Sequence, residues 1–561
     1  MVWLWTWLAC NSPAPDPAPA PTAEASLTLR EGLFRREVIE VVDGVHVAIG
    51  FGLANSILLE GDDGVVIVDT MESGTAAREV LTEFRKITDK PLAAIIFTHN
   101  HADHVFGSGV MSEGKDVPIW AHATTESHID RVVNVIRDTL QVRSLTMFGT
   151  AIPESRRIEA GIGPRLRFDP AKIALARPTH TFEGRIEIEV AGLQLELVHA
   201  PGETDDQIFV FLPDRRILLP GDNIYQAYPN LYTLRGTRPR DTSDWVRSLD
   251  AMRDRNPEVL VPSHTRPVVG AAEVESVLRA YRDGIQYVHD QTVRGMNQGQ
   301  SRDELAATIR LPPHLASHPW LQEHYGMVPH AVRAIVDGYL GWFDGDASDL
   351  EPVPPAERAR RYAEAFGAGV PLSEATALAL ADGDLAWAAE IGRLWVESAP
   401  QDAQARATLA SIYDARAEGH RNMNVRHWYL TQAGQLRGEI EVKPFDSAKS
   451  PPELVTSIPI DAFLSAMPSR LRAEDVLDVD EQVALEFSDL KRTFVLHVRH
   501  GVAELRERPA TGVDRKLVTD SATFKRMSAK QISPALAVAD GRIRIEGGTF
   551  AVARILGWFG P

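Results

Sequence analysis

Thr98-His99-Asn100-His101-Ala102-Asp103-His104 decides how this chain is read. The apolar run at residues 92–97 precedes it and reads as a buried strand, so the heptapeptide lies in the loop leaving a sheet edge. A loop can turn His99 and His101 to one metal ion and Asp103 and His104 to its neighbour, a division that a regular strand or helix does not permit at this spacing. Upstream, residues 56–59 and 65–68 flank the Gly61-Asp62-Asp63-Gly64 turn as a hairpin, and residues 75–87 carry helical periodicity. Downstream, three more strands each run into a metal-binding residue type. Leu193, Leu195 and Leu197 alternate with Gln194 and Glu196 ahead of His199-Ala200-Pro201-Gly202-Glu203. The apolar stretch at 216–219 ends in Gly221-Asp222, and the one at 259–261 ends in Ser263-His264.

These residues carry a resemblance. The HxHxDH pattern resembles that of the metallo-β-lactamase-fold superfamily of dinuclear zinc hydrolases. Most of its members place a metal-binding His after the Pro-Gly; here Glu203 stands there, as in the alkylsulfatase branch. The alternative is an acidic turn in which His199 is the ligand. The resemblance implies that His99, His101 and Glu203 hold one Zn²⁺, that Asp103, His104 and His264 hold a second, and that Asp222 bridges them.

The Asn230-Leu231-Tyr232-Thr233-Leu234-Arg235-Gly236 stretch resembles the border of the alkylsulfatase sulfate pocket. Arg235 offers a planar donor fork for a tetrahedral oxyanion, and Asn230 an amide donor. Tyr232 joins them as a substrate-binding candidate. The other reading of Arg235 is a surface arginine paired with Asp241. Tyr325 to Arg333 and Tyr339 to Gly345 resemble the alkylsulfatase dimerisation domain. This makes Arg333 a second sulfate-contact candidate and His330 a catalytic candidate beside Asp103, as proton donor to the leaving group; ordinary helix packing explains both as well.

The implied fold class is α/β: an αββα metallo-β-lactamase sandwich at 29–300, an all-α dimerisation domain at 301–445, and an α+β sterol carrier protein-like domain at 446–561. The implied activity is zinc-dependent hydrolysis of an alkyl sulfate by a homodimer. Rival readings keep the site but change the ester to a thioester, lactone or phosphodiester, or make the protein a non-catalytic lipid-binding dimer. Apolar residues from Ile129 to Leu140 are expected to line or cover the substrate channel.

Composition narrows the field from outside. With 59 Lys+Arg against 77 Asp+Glu, the net charge is −18, which argues against a nucleic-acid partner. One cysteine excludes an internal disulfide or a thiolate metal cluster. That residue, Cys10, closes a short apolar run ahead of a Pro/Ala-rich spacer, and residues 1–28 resemble a bacterial lipoprotein signal. The expectation is a periplasmic or membrane-anchored lipoprotein; with Cys10 a bystander, the protein is soluble. Two Zn²⁺ set against Asp103, Glu203, Asp222 and a bridging hydroxide leave a neutral centre, so positive potential must come from arginines.

Overall fold

The computed structural model describes residues 30–167 and 169–559; Cys10 and the spacer lie outside them. The first sheet has seven strands in sequence order: β1 (Glu37–Val42), β2 (Val45–Ile49), β3 (Ser56–Glu60), β4 (Val65–Val68), β5 (Leu92–Ile96), β6 (Ile119–His122) and β7 (His180–Phe182). Pairing is antiparallel from β1 to β4 and parallel from β4 to β7. The second sheet has six strands: β8 (Arg185–Val190), β9 (Leu193–His199), β10 (Ile208–Leu212), β11 (Ile217–Leu219), β12 (Val259–Leu260) and β13 (Val268–Val269), ordered β13-β12-β11-β10-β9-β8.

Side-chain alternation explains how these sheets stack. Val45, Val47 and Ile49 of β2, with Ile57 and Leu59 of β3, meet Leu195, Leu197, Ile208 and Val210 between the sheets. Leu58, Ile67 and Ile95 point the other way, onto Ala76, Ala77, Val80 and Phe84 of the helix Gly74–Ile87. Phe209, Phe211, Leu218 and Leu260 turn outward from the second sheet beneath the helices Thr242–Arg253 and Ala271–Asn297. Each fully buried Val, Leu, Ile or Phe contributes about 1.5–3 kcal/mol. A one-residue slip would turn a whole strand's set to the wrong face, so register is firmly held. The result is the αββα sandwich expected from the sequence.

The helical region follows without a break in packing. The helix Val328–Leu340 buries Ala331, Val332 and Ile335 in the same core as Leu278 and Ile285. Pairs of helices come next, Leu372–Ala381 with Leu385–Ser398 and Ala403–Glu418 with Met423–Arg437. In the helix Leu385–Ser398 Ile391 is buried, whereas Trp387, one turn nearer the helix start, is 47% exposed. The C-terminal region is α+β. Its strands β14 (Asp480–Phe487), β15 (Arg492–Arg499), β16 (Val502–Glu507), β17 (Lys516–Thr519) and β18 (Arg544–Glu546) are ordered β16-β15-β14-β17-β18. The helix Pro452–Ser457 leads into this region, yet its Leu454 packs in the sandwich core beside Ile129 and Ile173. No helix among the described residues is long and apolar enough to cross a membrane.

Candidate metal centre and substrate cavity

The ends of β4, β5, β9, β11 and β12 converge on one edge of the sandwich and bring all seven expected ligands into one buried cluster. Ligand atoms of His99, His104 and Asp222 lie within 4.8 Å of one another; so do those of Asp103, His104 and His264, and those of His101, Glu203 and Asp222. The Asp103–Asp222 carboxylates face His264 Nε2 at 3.5 and 3.2 Å. His99 Nε2 lies 2.8 Å from His101 Nδ1.

Each buried imidazole is oriented by a hydrogen bond on the ring nitrogen turned away from the cluster. His104 Nδ1 is 2.8 Å from Asp69 Oδ2, His264 Nδ1 is 2.9 Å from the Leu53 carbonyl, and His99 Nδ1 is 3.0 Å from Thr98 Oγ1. That is how proteins fix the tautomer of metal-binding histidines. On the inner side, His104 Nε2 and Asp222 Oδ1 are buried with no hydrogen-bond partner. Such orphaned atoms are costly to leave unpaired, and a cation satisfies them. The electrostatics agree. Burial brings His99 down to about 4, the neutral ligand form. Burial works against charge on His104 too, but Asp222, Asp103 and Asp69 outweigh it and hold its pKa well above the usual range, so the carboxylates favour positive charge at this point, which a bound cation would supply in place of the proton. The residues present therefore fit hard or borderline divalent metal with N/O ligands.

Glu203 sits at the Pro-Gly turn after β9, where its carboxylate is fully buried and its Oε2 accepts from Arg240 Nη1 at 2.5 Å. His199 points elsewhere: it stacks on His122 at 3.9 Å and its Nε2 lies 2.8 Å from the Asp205 carbonyl. Arg235 donates from Nη2 to His101 Nε2 at 2.7 Å, while Asp241 caps the helix Thr242–Arg253. Asn230 is buried beside Arg240, which donates to its carbonyl, and its Nδ2 has no partner. Asn230 and Tyr232 line neither of the cavities at the cluster. Nor do His330 and Arg333: Arg333 pairs with Asp303 at 2.9 Å on an exposed surface, and the charges acting on His330 are Arg333 and His420. The helix Val328–Leu340 carries both residues and turns only its apolar face to the core, which leaves them outside the cluster.

Three residues at the site escaped the motif reading. Asp69 ends β4, and its Oδ atoms also accept from Thr98 N at 2.9 Å and Ser263 Oγ at 2.8 Å, tying three strand ends together. Arg240 is buried, with Nε and Nη2 lacking partners. Tyr325 lines the cavity; Gly326 beside it is required there, because an added Cβ would lie 2.0 Å from the Pro229 carbonyl. Asp69 and Arg240 carry no local signal; Tyr325 opens the stretch that resembles the dimerisation domain, and Gly326 beside it is the visible mark of a close approach.

From the cluster an apolar cavity of about 220 Å³ extends away. The helix Arg137–Met147 gives it one wall through Leu140, Gln141, Ser144 and Leu145, and Ile129 and Val132 extend that wall as the sequence predicts. The opposite wall is Leu454, Val455, Ile458 and Phe463 from the C-terminal region.

A buried N/O cluster able to hold metal at the strand ends of an αββα sandwich, opening on an apolar cavity, is the layout of a metallo-β-lactamase-type fold. The comparisons narrow this further. Residues 49–264 match the metallo-beta-lactamase superfamily, residues 301–439 the alkyl sulfatase dimerisation family, and residues 448–561 the alkyl sulfatase C-terminal family. A linear primary-alkylsulfatase of Pseudomonas sp. (strain ATCC 19151) is 37% identical over 90% of this chain and 98% of its own. An (R)-specific secondary-alkylsulfatase of Pseudomonas sp. is 28% identical over 93% of this chain and 80% of its own. The solved structure of the stereoselective inverting sec-alkylsulfatase Pisa1 from Pseudomonas sp. superposes with a TM-score of 0.87 at 26% identity, covering 94% of this chain and 85% of that one. The chain belongs to the alkylsulfatase family.

Proposed function

We propose that this protein is a dinuclear zinc alkylsulfatase that hydrolyses the sulfate ester of a medium or long alkyl chain to the alcohol and inorganic sulfate. The observation that carries the reading is the meeting of three features: seven convergent side chains able to ligate metal, Arg235 and Arg240 beside them, and an apolar cavity. His99, His101 and Glu203 would hold one zinc ion, Asp103, His104 and His264 the other, with Asp222 shared. Bound zinc supplies Lewis acidity, which makes a water nucleophilic at neutral pH and polarises the ester.

The chain's own residues do the rest. The alkyl tail lies along Leu140, Leu145 and Leu454, which excludes water from the reacting end. Arg235 and Arg240 present guanidinium forks to the sulfate oxygens, and the Asn230 carbonyl behind them accepts from Arg240 and holds it in place. Burial raises the Tyr325 hydroxyl well above its usual pKa, so it keeps its proton and can donate to the departing alkoxide. The exposed Tyr339, Leu340 and Trp342, the last 71% exposed, give the dimerisation region an apolar face for a second copy. Purified protein with two zinc ions per chain should release sulfate from dodecyl sulfate; no release from dodecyl, shorter or secondary alkyl sulfates would sink the reading.

A further inference from the structure

The metal cluster opens on two cavities. Beside the apolar one is a second, of about 380 Å³, and the two meet at Asn100, His101, Glu203 and Arg235. The helix Arg137–Met147 stands between them. Its residues Arg137, Gln141 and Ser144 face the apolar side, Thr139 and Arg143 face the other, and Leu140 borders both. Helical spacing produces that division, since residues three and four apart share a face.

The second cavity has a different character. Its wall holds five arginines, at 131, 143, 235, 238 and 240, against the carboxylates of Glu203 and Asp205. In a chain of net charge −18 this is a strong local inversion. Three of the five are engaged at the inner end: Arg240 with Glu203, Arg235 with His101, and Arg143 with the carbonyls of Leu234 and Arg235 at 2.6 and 2.7 Å. Arg131 and Arg238 remain. Arg238 is exposed and Arg131 half-buried, and neither has an ion-pair partner among the described residues. The charges acting on Arg131 are those of Arg238 and Asp205. Both guanidinium groups line the same cavity with Asp205 as the nearby carboxylate, so the rim keeps an excess of positive charge that an anion can offset.

The chemistry of the reaction gives this arrangement a use, and here the argument rests on the sulfate-ester reading above. Hydrolysis makes two products with opposite solubilities. The alcohol keeps its alkyl tail in the apolar cavity and so blocks that way out, and a sulfate dianion leaving there would pass Leu140, Leu145, Leu454 and Val455, with only Arg137 and Arg470 as cations on the way. We infer that inorganic sulfate leaves, and re-enters as an inhibitor, through the arginine-lined cavity, passing from Arg235 and Arg240 to Arg131 and Arg238 at its mouth. The apolar cavity then serves only the alkyl chain.

The test measures sulfate itself, with no turnover. Zinc-loaded full-length protein is saturated with dodecanol to fill the apolar cavity, and the association rate of radiolabelled inorganic sulfate is followed. Wild type should bind sulfate at the same rate with and without dodecanol. The R131E/R238E double variant, altered only at the rim, should bind it about tenfold more slowly or worse, as expected for lost electrostatic steering, and high salt should shrink the difference. Zinc content and circular dichroism establish that the variant is folded. Exclusion of sulfate by dodecanol, equal rates in the two proteins, or no sulfate binding at all would overturn the inference. Hydrolysis is assayed separately, so a protein that binds sulfate through this mouth but cleaves no alkyl sulfate would refute the catalytic reading and leave the passage standing.

Discussion

His104 Nδ1 lies 2.8 Å from Asp69 Oδ2, and both side chains are fully buried. Asp69 is no ligand itself, but it sets which nitrogen of His104 faces the cluster. It does so from a left-handed backbone conformation, φ 59°, that non-glycine residues rarely adopt. Replacing Asp69 with Ala should weaken zinc binding about 10- to 100-fold. Competition with a chromogenic chelator measures this directly; an unchanged affinity would show that His104 needs no orienting partner.

Arg240 should matter more than its distance from any motif suggests. Where Glu203 is ionised, above about pH 8 in the metal-free protein, removal of Arg240 leaves its carboxylate buried without its cation, a change of about 3–5 kcal/mol for a buried pair. Arg240→Ala is therefore expected to lower the urea midpoint and to raise KM for alkyl sulfates. Arg240→Lys, which keeps the charge but loses the fork, should recover stability more than KM. Equal recovery of both would assign Arg240 a purely structural part.

Burial pushes the Glu203 carboxyl up to about 8 in the metal-free protein, with Arg240 opposing. The unfolded value is about 4.3. Between those two values the folded state binds a proton that the unfolded state does not. This contribution to stability is complete below the unfolded value and is lost as pH rises through about 8. Urea unfolding of metal-free wild type should therefore weaken relative to Glu203→Gln between pH 5 and 9. A difference that is flat across that range would show the carboxyl to be ionised throughout.

Leu454 closes the apolar cavity from the C-terminal region. Leu454→Trp should shorten the space for the tail. The expected result is a KM for dodecyl sulfate raised about tenfold while hexyl sulfate is little affected, with an overpacking penalty of about 1–3 kcal/mol. Parallel loss of both substrates would place the tail elsewhere.

The sandwich and the convergence of the candidate ligands were legible because apolar strands lead into them, so that local pattern and chemistry coincide at His99, Asp222 and His264. Glu203 was legible by its place after Pro201-Gly202, and the structure puts it, rather than His199, among the ligand atoms. Arg240 and Asp69 were not legible. Their partners are brought close by the pairing of distant strands, and nothing in either residue's neighbours announces it. His330 and Arg333 misled for the opposite reason. A resembling segment does approach the site, but through Tyr325 at the tight Gly326 turn, while the helix beyond carries the other two away. The C-terminal half of the cavity wall was out of reach as well, since it depends on how Pro452–Ser457 docks against a helix some three hundred residues earlier.

That shared wall separates two things evolution can alter independently. The ligands all come from the sandwich, whereas Leu454, Val455 and Ile458 sit on a segment that can vary without touching them. A chimera carrying another family member's C-terminal region would inherit its donor's appetite for tail length while keeping the recipient's bond-breaking machinery. The sandwich expressed alone would present an open trough to solvent in place of an enclosed cavity.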